Sequence, residues 1–213
     1  MRVDIWSDVV CPWCYVGKAR FERALAGFEH RDEVEVVYRS FELDPSPDAG
    51  GYASTFDMLS KKYGMSPEQA RQAEDRVASL ARAEGLDFDP ARPVGNTFNL
   101  HRVIHLAKEK GVQHEVLTTI NNAYFGEAAQ VFDPAVVTGI TARAGLDASA
   151  TGNVLENSEL YADEVRRDEK EARELGISGV PFFVFDMALG VSGAQPTDLF
   201  TRALDQAWNA AST

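Results

Sequence analysis

The chain holds two cysteines in 213 residues, and they stand three positions apart in Cys11-Pro12-Trp13-Cys14. Cysteine acts as a nucleophile, as a metal ligand or as half of a disulfide, and this spacing suits each use. On a helix, with a rise of about 1.5 Å and a turn of about 100° per residue, such positions have Cα atoms about 5 Å apart, within disulfide reach. The pair can then open and close with little backbone movement. A helix beginning near Cys11 would also point unpaired N–H groups and the positive end of its dipole at that sulfur, which favours a thiolate. Cys11 is therefore the expected nucleophile and the more exposed thiol. Cys14, one turn deeper, is expected to resolve the mixed disulfide. The alternatives are a structural zinc site and two incidental thiols. Zinc would need two more ligands, drawn from the four histidines or from carboxylates, since no third cysteine exists.

The elements around the pair must position it. Arg2-Val3-Asp4-Ile5-Trp6-Ser7 reads as a short strand with Val3 and Ile5 on one face. A helix follows to about Glu29, and Pro12 suits its first turn because the missing N–H has no partner there. Strand, C-x-x-C and helix in succession is the thioredoxin-type redox arrangement. Residues 33–41 read as a second strand, and Asp44 to Gly51, with two prolines and two glycines, as a loop and domain boundary. From about Tyr52 to Leu175 the signals are helical. Ser66-Pro67-Glu68-Gln69 is a capping box, Asn96-Thr97 opens a helix that Gly111 closes, and His114 to Phe125 forms another, ending at Gly126. Asp133-Pro134 caps one more, ending near Gly145. The charge run from about Ser158 to Leu175 is expected to be a solvated helix face. Val180-Pro181-Phe182-Phe183-Val184-Phe185 suits a strand buried on both faces, Leu189 to Gly193 a partner strand, and Pro196 onward a closing helix.

These elements predict an α/β protein whose sheet layer, residues 1–44 and 176–213, is interrupted by an all-helical insertion, residues 45–175. A structureless loop of that length does not occur in a compact domain, so the insertion is expected to form a cap. Net charge is −12, which argues against nucleic acid and anionic membranes as partners. No apolar run is long enough to span a membrane. Met1-Arg2-Val3 leads straight into the first strand with no apolar leader, so the expectation is a cytoplasmic protein whose disulfide cycles.

Four stretches carry a resemblance: Cys11-Pro12-Trp13-Cys14, Asn96-Thr97 with His101, Gly179-Val180-Pro181, and Ser192-Gly193-Ala194-Gln195. With them the whole chain resembles DsbA-type thiol oxidoreductases of the FrnE branch. The resemblance implies a thioredoxin-like sheet core with a helical insertion, catalysis of dithiol–disulfide exchange, and a cis-proline at Pro181 facing Cys11. The substrate, a protein or peptide thiol or disulfide, would meet Pro181 and the Val180 backbone. Pro12 and Trp13, between the cysteines, are further substrate-binding candidates. No dissociable cofactor or metal is needed, because the disulfide carries the electrons; glutathione is an alternative co-substrate. Exported members carry a histidine between the cysteines, where this chain has Trp13. The chain is also similar to the kappa-class glutathione transferases and hydroxychromene-carboxylate isomerases, which use serine at the place of Cys11.

Two further groups invite chemistry. His101 and His105 are four apart on one helix, about 130° from the apolar face of Leu100, Val103, Ile104 and Ala107, and so are not expected in the core. They could be solvated, line a cleft over Cys11 or bind a metal, the last giving a zinc interaction module. Asp8, three residues before Cys11, could relay protons or serve as a turn residue.

Overall fold

The computed structural model describes residues 1–46, 52 and 54–211. In chain order it contains β1 (Arg2–Ser7), α1 (Pro12–Ala26), β2 (Glu35–Ser40), α2 (Thr55–Tyr63), α3 (Pro67–Ala83), α4 (Phe98–Glu109) and α5 (Gln113–Glu127). There follow α6 (Pro134–Arg143), α7 (Ala148–Glu156), α8 (Ala162–Glu174), β3 (Phe182–Phe185), β4 (Leu189–Ser192) and α9 (Thr197–Ala211). The chain divides into two compact units, residues 1–43 with 166–213, and residues 44–165. Most of the expected loop from Asp44 to Gly51 lies outside the described residues.

The first unit is a four-stranded sheet of order β2-β1-β3-β4. β1 runs parallel to β2 and antiparallel to β3, and β3 is antiparallel to β4. Alternation along β3 assigns its side chains to two helical layers. Phe183 and Phe185 meet Phe21 of α1, with ring centroids 5.4 and 6.3 Å away, and Phe200 of α9 closes the cluster 5.8 Å from Phe21. Val184 turns the other way and packs with Trp6, Ala172 and Ile177, flanked by Phe41, Val180 and Phe182. The apolar run of β3 is thus covered on both faces. The central β1 is buried along its length after Arg2.

A charge network ties α8 to this sheet. Asp168 accepts from Arg39 Nη1 at 2.7 Å and from the Ser40 amide at 2.9 Å, while its backbone carbonyl accepts from Trp6 Nε1 at 2.9 Å. Arg39 also donates to Asp4 at 2.6 Å. Burial works against the Arg39 charge, but hydrogen bonds and attraction from Asp4 and Asp168 more than offset it, and its pKa is raised. Asp168 and Glu169 are both buried, so the charge run of α8 is not the fully solvated face expected.

The second unit is helical. Ser66 and Gln69 close the capping box on α3, with Pro67 at the first helical position. Asp133 caps α6 and Asp147 caps α7. Helices α4, α5, α6 and α7 pack in succession, and α7 returns to α4. Arg102 of α4 donates to the carbonyls of Val154, Asn157 and Leu160, which satisfies groups that the end of α7 leaves unpaired. α7 was not visible as a separate helix in the sequence. α5 runs past Gly126 and ends at Ala128, which takes the left-handed conformation itself (φ 49°). Among the described residues no helix is long and apolar enough to cross a membrane.

Candidate active site

Cys11 is the N-cap of α1 (φ −77°, ψ 114°), and Pro12 occupies the first helical position. The turn before it is closed by the Cys11 amide donating to the Asp8 carbonyl at 3.1 Å. Cys11 makes no side-chain capping bond at the helix start. Both cysteines are free thiols.

The exposure of the pair departs from expectation. Cys11 is 3% exposed and Cys14 6%, so Cys11 is not the more accessible residue. The N-cap turn is packed against the entry to β3, and the Cys11 sulfur lies 3.8 Å from the Val180 carbonyl oxygen. Trp13, at 38%, is the member of the motif that reaches solvent, while Pro12 is half-buried. The first turn of an isolated helix lies at the surface; here the residue that enters β3 covers it.

Burial pushes the Cys14 thiol well above its ordinary value. A hydrogen bond with Cys11 and repulsion from it act in the same direction, and a backbone hydrogen bond from Asp8 pulls the other way. Cys14 is therefore held as a thiol in the reduced protein, ready to be deprotonated only when it attacks. Asp8 itself is buried, and its carboxylate accepts from the Leu43 amide at 2.7 Å and the Val10 amide at 3.4 Å. Those bonds organise the turn that presents Cys11.

The Val180–Pro181 peptide bond is cis, as the sequence suggested, and Pro181 is buried. Its ring lies against α1: a Cβ added to Gly17 would come within 2.9 Å of Pro181 Cγ and 3.3 Å of Ala194 Cα. Cys11, Cys14, Val180 and Pro181 are thus brought together within the sheet unit, with Trp13 at the edge.

His101 and His105 belong to the helical unit, and their placement corrects the sequence reading. Both are buried, at 2% and 7% exposure, in a run from Leu100 to Ala107 that is buried throughout. α4 is enclosed on all sides, so a helical wheel drawn for one apolar face misassigned them. Among the described residues no group of three or more His, Cys, Asp or Glu side chains is arranged to hold a metal ion. The sequence reading did not assign Gly17, Arg20 or Ala194, which pack or bond around Pro181; the small residues in the Gly17 and Gly193-Ala194 positions were the available signal.

Comparison with known proteins places this geometry. Residues 2–205 match the family model described as DSBA-like thioredoxin domain. An uncharacterised protein of Bacillus subtilis (strain 168), YwbO, is 30% identical over 207 residues, covering 96% of each chain. The crystal structure of a probable DsbA oxidoreductase from Streptomyces coelicolor is 53% identical and superposes with a TM-score of 0.93, covering 98% of this chain and 90% of that one. A cytosolic disulfide reductase, DsbM of Pseudomonas aeruginosa, in a structure with GSH, is 15% identical with a TM-score of 0.67, covering 98% of this chain and 100% of that one; this likeness is one of fold.

Proposed function

This chain belongs to the DSBA-like thioredoxin domain family, and we propose that it is a cytoplasmic thiol–disulfide oxidoreductase of the FrnE branch, with Cys11 and Cys14 as its exchanging pair. The observation that carries this is the seating of Cys11 at the start of α1, with Cys14 one turn on and the Val180 carbonyl 3.8 Å from the Cys11 sulfur. The 53% identity to a probable DsbA oxidoreductase supports the same class of reaction.

The Cys11 thiolate attacks one sulfur of a substrate disulfide. A Cys11–substrate disulfide forms, and the other substrate sulfur leaves as a thiolate. Cys14 loses its proton and attacks the Cys11 sulfur, which releases the second substrate thiolate and closes the Cys11–Cys14 disulfide. The substrate gains two electrons and the enzyme loses them. Run backward, the same steps oxidise a substrate dithiol. A low-molecular-weight thiol such as glutathione reduces the enzyme disulfide after reductive turnover. Trp13 offers an apolar platform beside the sulfurs, and the Val180 backbone an edge for an extended segment of a protein or peptide substrate.

The test is Cys14→Ser, which removes the resolving thiol. It should accumulate mixed disulfides between Cys11 and cellular proteins, seen as reducible high-mass bands on non-reducing gels. Adducts with glutathione alone would favour a glutathione-dependent isomerase or transferase acting on a small molecule. No adducts of either kind would sink the assignment.

A further inference from the structure

The carbonyl beside the Cys11 sulfur precedes a strand rather than sitting within one, so something must hold it in place. Pro181 O accepts from the Gly193 amide at 2.8 Å, one rung beyond the Phe182–Ser192 pair that ends the β3–β4 ladder. Gly193 has φ +82°, a conformation glycine adopts without strain. There the chain turns, and the Gln195 side chain closes the turn by donating to the Ser192 carbonyl at 2.8 Å. The residue at the tip, Ala194, presents its carbonyl to α1, where Arg20 Nη1 donates to it at 2.7 Å. Arg20 lies three residues beyond Gly17, which lies three beyond Cys14, so all three follow one side of the helix.

We propose that Arg20 is a positioning residue for the Cys11 sulfur: by holding the Ala194 carbonyl it seats the 192–195 turn and, through Gly193 and Pro181, the Val180 carbonyl. One helix carries the sulfurs at its start and, from its middle, fixes the acceptor that faces them. This rests on Cys11 and Cys14 being the exchanging pair. The chemical consequence has a sign. A carbonyl oxygen accepts a hydrogen bond from S–H but repels the lone pairs of an attacking sulfur, and a disulfide has no S–H to give, so a well-seated Val180 carbonyl slows Cys11 as a nucleophile and favours the reduced form of the couple. Releasing the turn should make the sulfur react faster with electrophiles and make the couple more reducing.

The experiment compares the wild-type chain with Arg20→Ala and Arg20→Lys. It reads the iodoacetamide rate at Cys11 in a Cys14→Ser background and the equilibrium constant of the two-cysteine protein with glutathione. A weak S–H···O contact corresponds to a two- to threefold change, so Arg20→Ala should raise the alkylation rate about threefold. It should also shift the glutathione equilibrium about threefold toward the protein disulfide, or about 14 mV. Arg20→Lys, which keeps a charged donor, should recover most of both changes. A purely structural Arg20 would lower the melting temperature and leave both readings unchanged, and that outcome overturns the inference. A wild-type chain that cycles normally, with Arg20→Ala indistinguishable from it, overturns the inference alone. A wild-type chain that never forms the Cys11–Cys14 disulfide with glutathione overturns the assignment of the pair and this inference with it.

Discussion

Gly17→Ala sets two opposed effects against each other at the site. Gly17 is inside α1, where replacing glycine by alanine ordinarily stabilises by about 0.8–1 kcal/mol. Here the new methyl would sit 2.9 Å from Pro181 Cγ, 3.3 Å from Ala194 Cα and 3.4 Å from Ala194 Cβ. Carbon atoms prefer about 3.5–4.0 Å, so Pro181 must retreat by at least about 0.6 Å. The ring is buried and Ala194 meets the methyl with backbone, so neither can swing aside as a flexible side chain would. Overpacking of this kind costs about 1–3 kcal/mol. The net change is then between about zero and 2 kcal/mol of destabilisation. Gly139, inside α6 with nothing within 4 Å of an added Cβ, supplies the reference, because Gly139→Ala gains the helix term without the clash. Urea midpoints should therefore separate the two variants by about 1–3 kcal/mol, with Gly139→Ala the more stable. Because the retreat moves Pro181 and Val180 away from Cys11, Gly17→Ala should also lose turnover of a peptide disulfide, while Gly139→Ala keeps it. If Gly17→Ala were as stable as Gly139→Ala and turned over normally, the close packing of α1 on Pro181 would be refuted.

Two other perturbations follow from buried groups. Tyr38 is buried and hydrogen-bonds Glu22 at 3.2 Å, and burial first, then the Glu22 charge, raises its pKa well above 10.0; the Cys14 thiol is likewise raised above 9.0. Raised acids stabilise the fold below their unfolded values and lose that contribution as pH climbs toward the folded ones. The reduced protein should thus weaken by about 1.4 kcal/mol per pH unit for each group passed, first from Cys14 and then from Tyr38. The oxidised protein lacks the first step and Tyr38→Phe the second, which urea titrations between pH 7 and 11 would show by their slopes. Asp168→Ala leaves Asp4 as the close partner of Arg39 and takes an acceptor from the Ser40 amide, and should destabilise by about 1–3 kcal/mol, measured by urea denaturation; a loss under about 1 kcal/mol would mean the network is no more than a surface ion pair.

How far the fold could be read in advance depended on whether a signal was local. Ser66-Pro67-Glu68-Gln69 marked the start of α3 because a capping box is complete within four residues. The strand after Pro181 was legible because an apolar run that short, between turn residues, has few other uses. α7 was lost because Gly145 stops one helix and Asp147 caps the next only two residues on, so stop and start merged into one break. The end of α5 is hidden because Ala128, not Gly126, takes the left-handed conformation usually left to glycine.

The same division runs through the site. The spacing of Cys11 and Cys14 and the proline after Val180 are written in adjacent residues, and they were found. The Arg20–Ala194 bond joins residues 174 apart, and nothing near either one announces the other. The charge run of α8 lies between these cases. Its buried residues are Val165, Asp168, Glu169 and Ala172, the i, i+3, i+4, i+7 stripe of a helix lying on a core. Read by composition, Asp168 and Glu169 belong to a solvated face. Read by period, they share a stripe with Val165 and Ala172, and a stripe that faces a core must bring counter-charges to meet its acids. The second strand offered one in Arg39, between Tyr38 and Ser40, which bonds Asp168. Glu169 draws on Arg166, which donates to it at 2.8 Å and to the buried Glu42 at 2.8 Å. The period of the charges, set against an arginine in a strand that is otherwise turning inward, carried the placement of α8 on the sheet that their mere number concealed.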